Sequence, residues 1–263
     1  MKTYIVDAFT NTPYTGNPAG VCLLQEPLDE ATMFKIAAEI NLSETAFLYK
    51  KGELYSLRWF TPTVEVDLCG HATLSAAHIL FETGEFPKDQ VIRFETKSGI
   101  LTASYKNNLI ELDFPQLHVT ACESNSLLEK AFGIKPVYIG KNHQRYLIEI
   151  ANIKELTQIK PDFQLLQQSD LGCFMITVKS NDQYDFHSRF FAPGVGVPED
   201  PVTGSMHCYL APYWAKKLNK KKLQAYQASS RSGSMECEIS DDSRVFLRGQ
   251  AITMNEMKMP WVV

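Results

Sequence analysis

The chain has 263 residues, 44% of them apolar and 21% charged, a balance that excludes a disordered or collagen-like chain and leaves room for one large domain or two small ones. With 26 basic against 30 acidic side chains, the net charge of −4 argues against a nucleic-acid-binding surface. No apolar run approaches the ~20 residues of a membrane-spanning helix, and Met1–Asp7 reads as a strand without a cleavable leader, so a soluble, cytoplasmic protein is expected.

In chain order, a strand over Tyr4–Phe9 is followed by the turn-rich stretch Thr10–Pro18 and a second apolar run, Ala19–Leu24. Asp29 is placed to cap a helix whose apolar residues Met33, Ile36, Ala37 and Ile40 share one face. Strands are expected at 45–50 and 54–60, then a helix over 71–82 that is apolar almost all round and therefore central. Strands at 91–96, 100–106 and 109–114 follow, the last two joined at Asn107-Asn108, since Asn tolerates the positive φ of a tight hairpin.

Pro115–Ser126 reads as a linker, ending at the capping-box pattern Ser126-Leu127-Leu128-Glu129. Beyond it, strands are expected near 137–140, 145–150, 173–178 and 187–192, with a helix near 162–168. A further apolar helix begins near Ser205, and Pro212 predicts a kink or an early end within it. Strands at 223–229, 234–239 and 244–250 close the chain, the last two joined by an Asp241-Asp242-Ser243 turn. The lysines at 216, 217, 220, 221 and 222 read as the solvated C-terminal end of the second central helix.

The same order of parts thus occurs twice. Arg58-Trp59-Phe60-Thr61-Pro62-Thr63-Val64-Glu65-Val66 aligns with Arg189-Phe190-Phe191-Ala192-Pro193-Gly194-Val195-Gly196-Val197 at five of nine positions, 131 residues apart, which is half the chain. Each copy leads into a glycine and a polar residue opening an apolar helix, Gly70-His71 and Gly204-Ser205. Two lobes are therefore expected, 1–116 and 117–263, with the last strand free to pack back on the first lobe.

The chemistry should sit at those helix starts. A helix N-terminus presents unpaired N–H groups and about half a positive charge, so each is a ready anion site. His71 and Ser205 then occupy matching positions with different side chains, as expected when two similar scaffolds serve one substrate. Asp200 precedes the second start, where a carboxylate is otherwise an ordinary cap. Glu44, if enclosed by Leu42 and Phe47, gains the raised pKa that suits proton transfer. His71 and His78 lie on one helix, but no third ligand is evident, and no metal site is expected. Six cysteines without a C-x-x-C pair give neither a disulfide framework nor a zinc signature, and most read as small buried apolar residues.

Four segments carry a resemblance: Gly16-Asn17-Pro18-Ala19, Ser43-Glu44-Thr45-Ala46-Phe47, Asp67-Leu68-Cys69-Gly70-His71-Ala72-Thr73 and Glu199-Asp200-Pro201-Val202-Thr203-Gly204-Ser205. Together, and in this order, they resemble the PhzF family of phenazine biosynthesis-like isomerases, related in fold to diaminopimelate epimerase. The resemblance implies an α+β protein of two pseudo-symmetric lobes, each a curved, mostly antiparallel sheet or barrel around a central helix, with the site in the cleft. It implies Glu44 as principal acid/base, with His71, Asp200 and Ser205 completing the catalytic group. Asn17, Gly70, Thr203 and Gly204 would bind substrate, the backbone amides at the two helix starts holding its carboxylate. No cofactor is implied. A small carboxylic acid is the expected substrate and a homodimer the expected assembly, without nucleic-acid or membrane partners.

Two departures qualify the transfer. Related epimerases use two cysteines; Cys69 resembles the first, but Asp200 reads as standing at the matching place in the second lobe. Gln227-Ala228-Ser229-Ser230-Arg231 resembles a family segment that carries glycine where Ala228 stands. Two alternatives to Glu44 catalysis therefore stand: a Cys69-dependent amino-acid racemase or epimerase, and a non-catalytic protein that binds small acids.

Overall fold

Period-two alternation and turn residues define most of the strands in the computed structural model, which describes residues 1–123, 126–167 and 172–260. The first half runs β1 (Lys2–Ala8), β2 (Asn17–Leu24), α1 (Glu30–Ile40), β3 (Glu44–Lys51), β4 (Leu54–Phe60), β5 (Glu65–Val66), α2 (Gly70–Glu82), β6 (Ile92–Thr96), β7 (Gly99–Lys106) and β8 (Leu109–Pro115). The second half has β9 (Thr120–Ala121), α3 (Ser126–Phe132), β10 (Tyr138–Asn142), β11 (Arg145–Glu149), α4 (Ile153–Gln158), α5 (Phe163–Gln167), β12 (Cys173–Lys179), β13 (Phe186–Ala192) and β14 (Val197–Asp200). It continues with α6 (Gly204–Leu218), β15 (Lys222–Gln227), β16 (Gly233–Ile239) and β17 (Arg244–Gly249), and the chain then forms β18 (Ala251–Lys258).

The chain divides into two compact units. One comprises Met1–Phe114 with the segment from Phe246 onward, and the other Pro115–Val245. In the first, β1–β2, β3–β4, β6–β7 and β7–β8 pair antiparallel, while β2–β3 and β4–β6 pair parallel. A parallel pair needs a crossover, and α1 and α2 supply the two. The second unit repeats this: β10–β11, β12–β13 and β15–β16 are antiparallel, while β11–β12 and β13–β15 are parallel, with α4 and α5 in one crossover and α6 in the other. The sequence repeat is thus a repeat of topology. The strand β18, which lies beyond the last strand read from the sequence, pairs antiparallel with β1.

Both crossover helices after the repeat are central in their own units. All residues of α2 from Gly70 to Ala77, and Ile79 to Phe81, are buried, as its all-round apolar sequence requires. In α6, residues 206 to 212, Trp214 and Ala215 are buried likewise. Asp29 caps α1 as expected, its carboxylate accepting from the Thr32 N–H at 2.9 Å. The Asn107-Asn108 hairpin has the predicted positive φ at both residues, 51° and 62°.

Two expectations need correction. Pro212 does not end its helix: α6 runs through to Leu218. Proline removes the donor that Cys208 C=O would have used, and that carbonyl accepts from Leu117 N–H instead, at 2.9 Å. The linker holds a strand, β9, paired with β10, while its residues 124–125 lie outside the described residues. The helix expected near 162–168 is α5, with 168 outside the described residues, and the helix α4 before it was not foreseen. Among the described residues no helix is long and apolar enough to cross a membrane.

Four of the clustered lysines are paired rather than merely solvated: Lys217 with Glu149, Lys220 with Asp185, Lys221 with Asp241 and Lys222 with Glu238. All six cysteines are free thiols, and Cys22, Cys69, Cys208 and Cys237 are buried.

Candidate active site

In the first unit the structure brings Glu44 and His71 together. Glu44 opens β3 directly after the turn that ends α1, where Asn41 takes up a left-handed conformation. His71 is the second residue of α2, and its Nε2 lies 3.3 Å from Glu44 Oε2. Both side chains are sheltered, at 6% and 19% exposure, which excludes most of the water that would stabilise a carboxylate. Burial accordingly pushes Glu44 above the ordinary carboxylate range, with the Ser43 hydroxyl opposing the shift. Ser43 Oγ also stands 3.5 Å from His71 Nε2, a contact the sequence reading did not assign.

Cys69 approaches the other imidazole nitrogen, its Sγ 3.5 Å from Nδ1. One ligand atom each from Glu44, Cys69 and His71 falls within 4.8 Å of the others, so three groups with metal-ligand chemistry do converge. The thiol and the carboxylate, however, face different ring nitrogens, so a single metal-bound nitrogen does not account for both close contacts. This suits hydrogen bonding through the ring better than a shared ion. His78, the earlier candidate partner of His71, is two turns along the helix and contacts Thr253 and Glu82 instead.

Asn17 is fully buried at the start of β2, opposite Ala8 of β1. Gly16 before it has φ 74°, and a Cβ there would collide with the Ala8 carbonyl oxygen, so the turn that delivers Asn17 requires glycine. Gly70 is the first residue of α2, and Cys69 O accepts from Thr73 N–H as the helix opens.

In the second unit the structure brings Asp200 and Thr203 together. The Thr203 hydroxyl donates to Asp200 Oδ2 across the turn between β14 and α6. Gly204 opens the helix, and Ser205 is exposed beside it. The turn is clamped by Gln227, a fully buried amide whose Oε1 accepts from Thr203 N–H at 2.8 Å and whose Nε2 donates to the Asp200 carbonyl at 2.7 Å. Ser229 adds a bond to the Pro201 carbonyl at 2.8 Å. Gln227 was not foreseen as a support. The available signal was its position: Leu223, Ala225 and Gln227 form the inward row of β15, and a polar residue there needs partners. Ala228 packs against the core of this unit, and its N–H donates to Ser188 C=O at 2.7 Å.

The two units also correct the match made for Cys69. Arg58 forks onto Glu65 and lies 5.0 Å from the Phe60 ring; Arg189 forks onto Glu199 and lies 4.9 Å from the Phe191 ring. Trp59 pairs with Val66 as Phe190 pairs with Asp200. Glu199 and Asp200 therefore correspond to Glu65 and Val66, three residues later than the repeat predicted. The insertion is the 3₁₀ turn Pro193–Val195. The position matching Cys69, each the N-cap of its helix, is Thr203 and not Asp200. No second thiol stands there.

A topology that occurs twice, each copy with a buried helix opening at a glycine, defines an α+β protein of the epimerase-like class. A probable proline racemase from Agrobacterium radiobacter has this fold, with a TM-score of 0.65 over 98% of this chain and 92% of its own, at 9% identity. Residues 6–257 match the phenazine biosynthesis-like proteins, PhzC-PhzF, and the chain belongs to that family. A relative named as an isomerase in Halalkalibacterium halodurans is 53% identical over 254 residues, covering 95% of each chain. The crystal structure of a PhzF-family protein from Enterococcus faecalis aligns at TM-score 0.93 and 40% identity, over 98% of this chain and 99% of that one. The chain is an isomerase.

Proposed function

We propose that the chain moves a proton on a small carboxylic acid without a cofactor, with Glu44 as the acid/base. The observation that carries this reading is Glu44 itself: a sheltered carboxylate, raised in pKa by burial, 3.3 Å from His71 Nε2. A buried carboxylate of this kind accepts a proton more readily than an exposed one. Removing a proton from carbon leaves charge that spreads toward the substrate carboxylate. Fixed N–H groups at the start of α2 are the proposed donors to that charge, acting without reorganisation. Glu44 then returns the proton to the same or another carbon. Asn17 is read as a substrate contact. By family resemblance we also propose a homodimer, which sedimentation at micromolar concentration would test.

The racemase reading that makes Cys69 the base loses support, because Thr203 occupies the position where a two-thiol mechanism would place its second sulfur. Solvent-exchange NMR tests the proposal. A panel of 2-amino and 2,3-unsaturated carboxylic acids is incubated in heavy water, and loss of carbon-bound proton signal is followed. Wild-type protein is expected to exchange at least one of them, and Glu44→Gln to do so about 10²–10⁴-fold more slowly. Exchange at the wild-type rate in Glu44→Gln would overturn the assignment.

A further inference from the structure

Neutral imidazole has one N–H donor and one bare acceptor nitrogen, so whatever fixes one side of the ring dictates the other. His71 has Cys69 Sγ 3.5 Å from Nδ1 and Glu44 Oε2 3.3 Å from Nε2. We propose that Cys69 is a positioning residue: its S–H donates to Nδ1, fixing His71 as the Nε2–H tautomer, and Nε2–H in turn donates to Glu44 and holds it as the carboxylate that takes the substrate proton. This rests on Glu44 being the acid/base.

Cys69 is the N-cap of α2, a position that Ser, Thr, Asn or Asp usually fills so that the side chain can bond the first helical amides. Its side chain makes no capping bond to the helix, and the sulfur sits beside the imidazole. A thiol is a weak cap and a weak S–H donor, and here its sulfur lies beside the ring rather than the backbone amides. The second unit does the same thing with different chemistry. Thr203, the N-cap of α6, also makes no capping bond, and its hydroxyl donates to Asp200. In both units the residue that should serve the helix serves an acid/base side chain, directly on Asp200 and through His71 on Glu44. The need is evident at Glu44, where burial favours the neutral acid and a base must be ionised. The Ser43 hydroxyl and a His71 N–H are the donors that offset it.

Two-bond ¹H–¹⁵N correlation spectra of full-length protein with ¹⁵N-labelled histidine, without substrate and at pH 7.5, read the tautomer directly. His71 is assigned by the signals lost in His71→Asn. The expected result is Nε2–H in wild type, retention in Cys69→Ser, whose hydroxyl also donates, and a shift toward Nδ1–H in Cys69→Ala. An Nδ1–H ring in wild type, or a Cys69→Ala spectrum like that of wild type, would overturn the proposal. If Cys69→Ala fails to fold, the wild-type tautomer decides alone. Exchange activity lost in Glu44→Gln together with an Nδ1–H ring in wild type would leave Glu44 standing and remove Cys69. Activity retained in Glu44→Gln would remove the reading beneath both.

Discussion

Glu44 is poorly placed for stability, because its burial penalises the charged form. Its folded-state pKa is raised, so below the unfolded carboxylate value, about 4.3, both states are neutral and its burial costs nothing electrostatic. As pH rises through the raised folded value, the charge must be held in a sheltered site and stability is lost. Glu44→Gln should therefore melt at a higher temperature than wild type at pH 8 and at the same temperature at pH 4. Differential scanning calorimetry at the two pH values checks it. A second contrast at this scale concerns the duplicated arginines. Arg189 carries, besides its fork onto Glu199, two bonds from Nη1 to the carbonyls of Leu156 and Ile159 at 3.0 and 2.9 Å. Arg58 spends its remaining contact on the exposed Glu30. A lysine ammonium cannot reproduce a fork and two carbonyl bonds at once. Arg189→Lys should cost about 1–3 kcal/mol in urea unfolding and Arg58→Lys under ~1.

Among the elements, the turn between β14 and α6 and the helix that follows are where sequence patterns and structure part. A helix-interior proline costs ~3 kcal/mol when it orphans a carbonyl. Here the carbonyl of Cys208 is taken by Leu117 N–H, so Pro212→Ala should change stability by less than about 1 kcal/mol, because the helix bond it restores must compete with one already made. Gln227→Ala should cost more, about 2–3 kcal/mol, because it strands the Thr203 N–H and the Asp200 C=O in a buried turn. Chemical denaturation of both variants ranks them. The central helix at 71–82, the capped helix after Asp29 and the Asn-Asn hairpin were legible because each rests on local chemistry: an all-round apolar surface, a short acceptor before a helix, a residue that tolerates positive φ. The early end offered for Pro212 did not occur because its compensation comes from 95 residues away, Leu117 being remote from it in sequence. The Cys69 match was misplaced because a three-residue insertion shifts the second copy after Ala192, and identity alone does not show where an insertion falls.

For the molecule as a whole, duplication means that each unit must be stable around its own central helix, and the two helices do not carry the same liabilities. His207 lies one turn into α6, fully buried, with Nδ1–H donating to the Thr203 carbonyl at 2.8 Å. Its Nε2 has no hydrogen-bond partner among the described residues, so a proton placed there would have no acceptor. Burial lowers its pKa to about 4, against 6.5 for the unperturbed ring. The sign follows from that depression. Above pH 6.5 the ring is neutral in both states and the full stability is present; between 6.5 and 4 the unfolded chain binds a proton that the folded one refuses, and stability falls. A difference of that size is worth roughly 3 kcal/mol by pH 4. Folding the second unit should therefore weaken in mild acid, while Glu44 in the first unit pulls the opposite way as it becomes neutral. Asparagine can keep a donor to the Thr203 carbonyl and cannot take up a proton. The urea midpoint of wild type should drop between pH 7 and pH 5, and His207→Asn should flatten that slope. Hydrogen exchange at pH 5, corrected for intrinsic rates, should show the loss of protection in α6 and its neighbours β13 and β15, with α2 retaining its own; equal loss in both helices would mean that acid acts on the molecule through some group other than His207.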